Sequence, residues 1–406
     1  MNIFLLLTLA LAIILLLLRR KVSIGPCMLA AGIFIWLFRS ARSDDLLTAL
    51  STMLSMPRTY DIILALYFVM CLEIELRMSG ALHDMVAALR RKFSGVKVLL
   101  AIMPAFLGLL PSPGGARFSA PIVEELSQSV SIDQNTKAAI NFWFRHLFEF
   151  SSPIIPGMIL ACSIAGVAFG DMLRHLSWLT VLAFSVGWLI LIRPIRSAEI
   201  VSDEPSSEQE THGMYLALGS VASIFVLVIA FGLTASAGTA AIVIAMIGVL
   251  RIVDRPVGVK DIFLGALDKK MFVDIGSILY FIQLLEVTNV LSEIVAAFQN
   301  SPLPVPVIIA CVSFIIGVLT GMSQGHVAIV MPIVAAMGAG NLDLAGVAMA
   351  FGVAGQMLTP THFCLIVTMN YFNSSLLGTL KPILICEIII LTVFSAFTFL
   401  TGNFSP

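Results

Sequence analysis

Twice in this chain, a stretch apolar enough to enter a bilayer is interrupted midway by residues that stop a helix. Gly108–Val123 reads GLLPSPGGARFSAPIV, where Pro111, Pro113, Gly114 and Gly115 break the run and Arg117 follows. Gly317–Val334 reads GVLTGMSQGHVAIVMPIV, with the same order of apolar arm, Gly- and Ser-bearing break, basic residue and closing Pro-Ile-Val. Backbone groups freed by a break find no water in hydrocarbon, so the break has to be buried in protein or line a cavity. Each arm is also too short to cross roughly 30 Å of hydrocarbon by itself. Two re-entrant hairpins, at about residues 98–126 and 306–337, meet both constraints.

The rest of the chain fits that reading. It is 59% hydrophobic and 12% charged, where soluble domains run at roughly 45–50% and about 25%. The expected class is an all-α polytopic membrane protein. Apolar spans are predicted at about 2–18, 25–38, 60–79, 138–169 and 178–192, the fourth broken at Ser151, Ser152, Pro153 and Pro156. Proline removes a helical donor and clashes with the preceding turn, so carbonyls are freed there. A polar stretch over 196–213 reads as a linker, and five more spans follow at about 214–231, 237–250, 271–298, 345–371 and 383–400. Positive charge follows the first span, at Arg19, Arg20 and Lys21, so that span is expected to be retained rather than cleaved as a signal peptide. The six cysteines are scattered without paired spacing and read as packing residues, not a disulfide framework or zinc site. No P-loop or nucleic-acid footprint is visible, and no cofactor is expected.

The halves on either side of the linker resemble each other. YFVMCLE at Tyr67–Glu73 returns as YFIQLLE at Tyr280–Glu286, 213 residues on. With small gaps Gly108 then meets Gly317, Arg117 meets His326, and Ser152-Pro153 meets Thr359-Pro360. The predicted architecture is therefore two repeats, 1–195 and 214–406, each of five spans plus one hairpin. Five is odd, so the second repeat is inverted. Sixteen Lys and Arg fall on the face reached at the end of the first span, against four on the other, Arg39, Arg42, Arg58 and Arg174. The positive-inside rule makes the richer face cytoplasmic. The chain is then expected in a cell (inner) membrane with both termini outside, the first hairpin entering from the cytoplasm and the second from the exterior.

Three basic residues remain within the membrane-embedded stretches: Arg77, Arg117 and Arg145. Arg77 lies four residues after Glu73, the spacing of a structural ion pair on a helix. Arg117 has no acid within four residues and follows a Gly-rich tip, where backbone N–H groups attract anions and a guanidinium adds a bidentate donor. Candidate anion contacts are therefore Ser112, Gly114, Gly115 and Arg117 in the first hairpin and Ser323, Gln324 and His326 in the second. Ser151, Ser152, Thr359, Thr361 and His362 join them at the two broken spans. Arg145, His146 and Glu149 sit just before the Ser151-Ser152-Pro153 break, and Glu149 aligns with Gln356 rather than with a second acid. An ionisable set present in one half only suits a coupling-ion site.

The hairpin, the closing Pro-Ile-Val and the broken GQMLTPTHF of Gly355–Phe363 resemble the ion transporter superfamily. That superfamily includes divalent-anion/sodium symporters, gluconate and citrate permeases and some sodium/proton antiporters. The chain is most similar to an uncharacterised integral-membrane branch of it. The resemblance implies an elevator mechanism, in which hairpins and broken helices move against a homodimeric scaffold. Hairpin tips that read Ser-Asn-Thr in the symporters are Ser112-Pro113-Gly114 and Met322-Ser323-Gln324 here. The function expected is secondary active transport of a small organic anion, a carboxylate or sugar acid, coupled to H⁺ or Na⁺. Cation/proton antiport is the alternative within transport, and intramembrane hydrolysis the alternative outside it, although no HExxH or supported Ser-His-Asp set is present.

Overall fold

The computed structural model describes residues 2–93, 95–109, 116–196 and 207–401. Among them are twenty α-helices and no strand. Ten precede the linker: α1 (Ile3–Arg19), α2 (Ile24–Arg39), α3 (Ser43–Ser55), α4 (Pro57–Met78), α5 (Ala81–Lys92), α6 (Val96–Leu109), α7 (Ala116–Leu126), α8 (Gln134–Arg145), α9 (Pro156–Ala165) and α10 (Phe169–Gly187). Ten follow it: α11 (Glu208–Ile229), α12 (Ala235–Ile252), α13 (Val259–Gly265), α14 (Lys269–Val287), α15 (Val290–Gln299), α16 (Val305–Thr320), α17 (Ser323–Met337), α18 (Leu342–Met357), α19 (Phe363–Phe372) and α20 (Leu376–Thr401).

Four described helices are long and apolar enough to cross a membrane: α10 with the π-turn that continues it to Ile192, α11, α12 and α20. The chain is a membrane protein. Its long helices bury only a stripe: Leu6, Ala10 and Ile14 in α1, and Thr379, Ile383, Glu387, Ile390, Phe394 and Thr398 in α20. That spacing of three to four residues keeps one face inward and leaves apolar side chains such as Leu377, Phe399 and Leu400 outward. The short helices are the reverse. Every residue of α8 from Lys137 to Arg145 is buried, as are most of α17 and α18. The broken segments and the second hairpin thus form the centre, where freed backbone groups can be satisfied by protein.

Contacts run across the two halves and within each. α2 packs on α14 and α4 on α12; α6 lies along α8 and α16 along α18; α7 meets α19 and α9 meets α17. Glycines allow the closest of these approaches. A Cβ on Gly108 of α6 would lie 2.0 Å from the Arg145 carbonyl oxygen, and one on Gly317 of α16 would lie 2.2 Å from the Gly352 carbonyl oxygen.

The structure alters several expected boundaries. The predicted span over 271–298 is two helices, α14 and α15, bent by 70°. Asn289 at the bend has φ +58°, a left-handed conformation that Asn tolerates. The span over 138–169 is α8, a break and α9, which ends at Ala165 because Gly166 turns left-handed at φ +68°. The 345–371 span likewise splits into α18 and α19. The linker is shorter than its polarity implied. Ser207 caps α11 through the Glu210 N–H while the Glu210 carboxylate accepts from the Ser207 N–H, so residues 208–213 are helical.

Ion pairs gather where most basic residues lie. Arg91 pairs with Glu210 at 3.1 Å and Arg255 with Asp84 at 2.6 Å. Lys137 pairs with Glu124 at 2.9 Å and Arg90 with Glu125, fixing the base of α7 to that face. The base of α17 lies elsewhere, beside Arg58 and Arg174. Ala335, Ala336 and Ala339 share a cavity of about 510 Å³ with Arg58, Gln283 and Glu286, and Gly340 shares another with Arg174. The Gly340 N–H also donates to the Ala165 carbonyl at 2.9 Å.

Candidate functional site

The tip of the second hairpin enters between the two helix breaks. Its turn is short: α16 stops at Thr320, Gly321 adopts φ +66°, and α17 starts at Ser323. A side chain at Gly321 would be strained and would also meet Thr361, whose Oγ1 would lie 2.5 Å from the added Cβ. On the opposite side, Ser323 presses on Gly157 at the start of α9, where a Cβ would come within 2.4 Å of the serine Cβ. One tip therefore contacts the α8–α9 break and the α18–α19 break together.

The α8–α9 break follows from its sequence. α8 ends at Arg145, a 3-10 turn covers Leu147–Phe150, and Pro156 opens α9 at a position where its missing N–H costs nothing. Glu149, in the 3-10 turn, is buried, and its Oε2 accepts a hydrogen bond from the Ser323 hydroxyl at 3.0 Å. The Gln356 side chain approaches the same carboxylate without closing a hydrogen bond. The hairpin tip, the first break and the end of α18 meet around this carboxyl group.

One turn away, His146 and His362 stand perpendicular with ring centroids 4.8 Å apart. Each is held by a carbonyl: His146 Nδ1 lies 2.7 Å from the Phe142 oxygen, and His362 Nδ1 lies 3.0 Å from the Gln356 oxygen. Phe142 packs edge-on against His362. Arg145 is 7% exposed, and its Nε and Nη1 have no hydrogen-bond partner. Its guanidinium is within electrostatic reach of His146, His362 and Cys364.

Unpartnered buried polar atoms concentrate here. Besides Arg145, they include the Asn141 Oδ1, both ring nitrogens of His326 and both amide atoms of Gln356. His326 lies against Gly352, where a Cβ would come within 2.2 Å of its Cδ2. A buried donor or acceptor left unmade costs about 1–3 kcal/mol, more when charged. Several together give the breaks hydrogen-bonding capacity that the described residues do not satisfy.

The expected site residues divide accordingly. Arg145, His146, Glu149, Ser323, Thr361 and His362 come together at the tip and breaks, with Gln324 half-buried on the first turn of α17 and His326 buried one turn on. Thr359 turns to Thr361, their hydroxyls 2.9 Å apart. Ser151 faces away, with its hydroxyl 2.7 Å from that of Thr180 on α10, and Ser152 accepts from the nearby Ile154 N–H at 3.4 Å. Ser151 thus ties the break to α10, and Ser152 satisfies the break's own backbone. Ser112, Gly114 and Gly115 lie outside the described residues; Arg117 lies in the first turn of α7, and its side chain is outside the description. Arg77 pairs with Glu73 at 3.0 Å, as its spacing predicts.

Three neighbours were missed by sequence reasoning: Asn141, Gln356 and Cys364. Asn141 lies one helical turn before Arg145 and donates to the Thr368 hydroxyl at 3.0 Å. Gln356 was visible as the counterpart of Glu149, and Cys364 as a soft side chain two residues from His362.

A family profile covers residues 2–400, nearly the whole chain. The chain belongs to DUF401, a family of proteins of unknown function. No curated protein matches it. For this DUF401 member the chemistry therefore has to come from the site: a buried cation, a buried carboxyl group and two oriented imidazoles around a hairpin tip.

Proposed function

We propose that this DUF401 chain is a secondary active transporter of a small organic anion, coupled to H⁺ or Na⁺. The observation that carries the proposal is Arg145, a buried guanidinium with two unpartnered nitrogens at a helix break. An embedded charge without a counter-charge is costly, and a carboxylate supplies the missing partner through charge-assisted hydrogen bonds. Glu149 supplies an ionisable group on the hairpin side, able to take up a proton or, when ionised, to hold Na⁺ with the Ser323 hydroxyl.

Elevator movement of an inverted-repeat chain fits the packing. α2 on α14 and α4 on α12 are reciprocal pairs, as are α7 on α19 and α9 on α17. The base of α7 is tied to the Arg- and Lys-rich face, while the base of α17 lies beside Arg58 and Arg174. The 510 Å³ crevice separates α3, α4, α14 and α15 from α9 and α17, the boundary along which a transport unit would slide against a homodimeric scaffold. Cation/proton antiport draws on Glu149, but Arg145 lies within electrostatic reach of the same Cys364 as Glu149, a setting that disfavours a bound cation.

The test is uptake into proteoliposomes of mono- and dicarboxylates and sugar acids under imposed pH and Na⁺ gradients. We expect accumulation of an acid driven by at least one gradient. Arg145→Gln should weaken its apparent affinity by about 10- to 100-fold, the worth of a lost charged hydrogen bond. Uptake that ignores both gradients removes coupling, and unchanged affinity in the variant removes the anion role of Arg145.

A further inference from the structure

Beside Arg145, the two breaks bring together three donors of another kind. His146 at the end of α8, His362 at the N-cap of α19 and Cys364 in the first turn of α19 each offer a ligand atom, and these atoms lie within 4.8 Å of one another. Both imidazoles are already oriented. A carbonyl oxygen only accepts, so the contacts to Phe142 and Gln356 place the proton on Nδ1 of each ring and leave each Nε2 with its lone pair. A ring N–H anchored on a carbonyl is the outer-shell arrangement that fixes a metal-ligating histidine.

We propose that His146 and His362, through Nε2, and Cys364, through Sγ, form a Zn²⁺ site that bridges the two helix breaks. The donor set decides the metal class: a thiolate with two imidazoles suits Zn²⁺, whereas Na⁺, Mg²⁺ and Ca²⁺ require oxygen ligands. Bond lengths of about 2.0–2.1 Å to nitrogen and 2.3 Å to sulfur place tetrahedral donors roughly 3.3–3.6 Å apart. The donor atoms must therefore close in by about 1 Å, which a different Cys364 rotamer and a small shift of the two breaks would supply while each Nδ1 keeps its carbonyl. Three protein ligands leave a fourth position open. On binding, the Cys364 thiol releases its proton to solvent and the sulfur pair bonds the metal. The charge of Arg145 beside Cys364 works against a dication, so the affinity expected is modest. The site does not depend on the transport reading: a bound metal would tie the α8–α9 break to the α18–α19 break whatever the chain carries.

The test is a Co²⁺ titration of the untagged full-length chain in detergent. Co²⁺ takes Zn²⁺ positions and reports thiolate ligation by near-ultraviolet charge-transfer absorption. We expect one equivalent per chain with that absorption, displacement by Zn²⁺, and loss of the band in Cys364→Ser and His362→Gln. A second readout needs no variant: maleimide alkylation of Cys364, followed by mass spectrometry of its peptide, should slow several-fold when Zn²⁺ is present. Absence of the band at one equivalent, a band that survives in Cys364→Ser, or alkylation of Cys364 unaffected by Zn²⁺ would each overturn the proposal.

Discussion

Arg145 and Arg77 show how much a residue's meaning depends on the helix around it. Both stand four residues from a glutamate. Arg77 meets Glu73 because α4 is continuous through both, whereas α8 ends at Arg145 and the 3-10 turn that follows swings Glu149 towards Ser323. The spacing was legible; the loss of helical register between the two was not. A buried unpaired cation makes an unusual prediction. Arg145→Leu should raise the thermal stability of the ligand-free protein, since it removes an uncompensated buried charge, while abolishing stabilisation by the transported anion. Thermal unfolding with and without the anion checks both halves, and a fall in ligand-free stability would mean that Arg145 already has a partner. Glu149→Gln keeps an oxygen for the Ser323 hydroxyl but cannot ionise. In that variant we expect anion exchange to persist and dependence on the pH gradient to vanish, as counterflow and gradient-driven uptake would report.

Within the stretches predicted as hairpins, about 98–126 and 306–337, the chain forms α6 then α7 and α16 then α17, helix ends that Gly and Pro announce in the apolar pattern. The bend between α14 and α15 had no such signal; hydropathy runs through it, and the left-handed Asn289 is a tertiary choice. The short helices α3, α5 and α13 escaped notice because they are too short or too polar to read as spans. Close helix approach gives a prediction at this scale. Gly317→Ala would force α16 off α18 and should cost about 1–3 kcal/mol, the usual range for overpacking, read as a lower unfolding temperature. The cap of α8 gives another. Burial alone would raise the Asp133 carboxyl, but hydrogen bonds from the Thr136 hydroxyl and from the Thr136 and Asn135 N–H groups outweigh it and hold it below its ordinary value. Its contribution is present above the unfolded-state pKa and fades as pH falls through the lower folded value. Asp133→Ala should therefore destabilise by about 1 kcal/mol near neutral pH and by progressively less in acid, as stability measured against pH would show.

For the whole molecule, the placement of charge predicts which side each loop faces. A cysteine in place of Glu208, with exposed Cys311 changed to serine, should react with an impermeant maleimide only after cells are opened, and one in place of Arg174 should react in intact cells. Labelling of position 208 from outside would reverse the orientation. The recurrence of Glu, Pro and Gly on which the proposed repeat rests was legible in the sequence. The partners of each break were not, since which tip enters which break is decided by packing between elements far apart in the chain. The two halves also differ where it matters for energy conversion: Glu149 faces Gln356, and an amide cannot carry a proton. Where the coupling ion is H⁺, Glu149 as its carrier gives a proposed cycle of one proton per turnover. Each pH unit is worth about 1.4 kcal/mol, so electroneutral symport of a monoanion is limited to about a tenfold concentration ratio per unit of gradient. A measured slope of two decades per pH unit would require a second proton carrier in the chain.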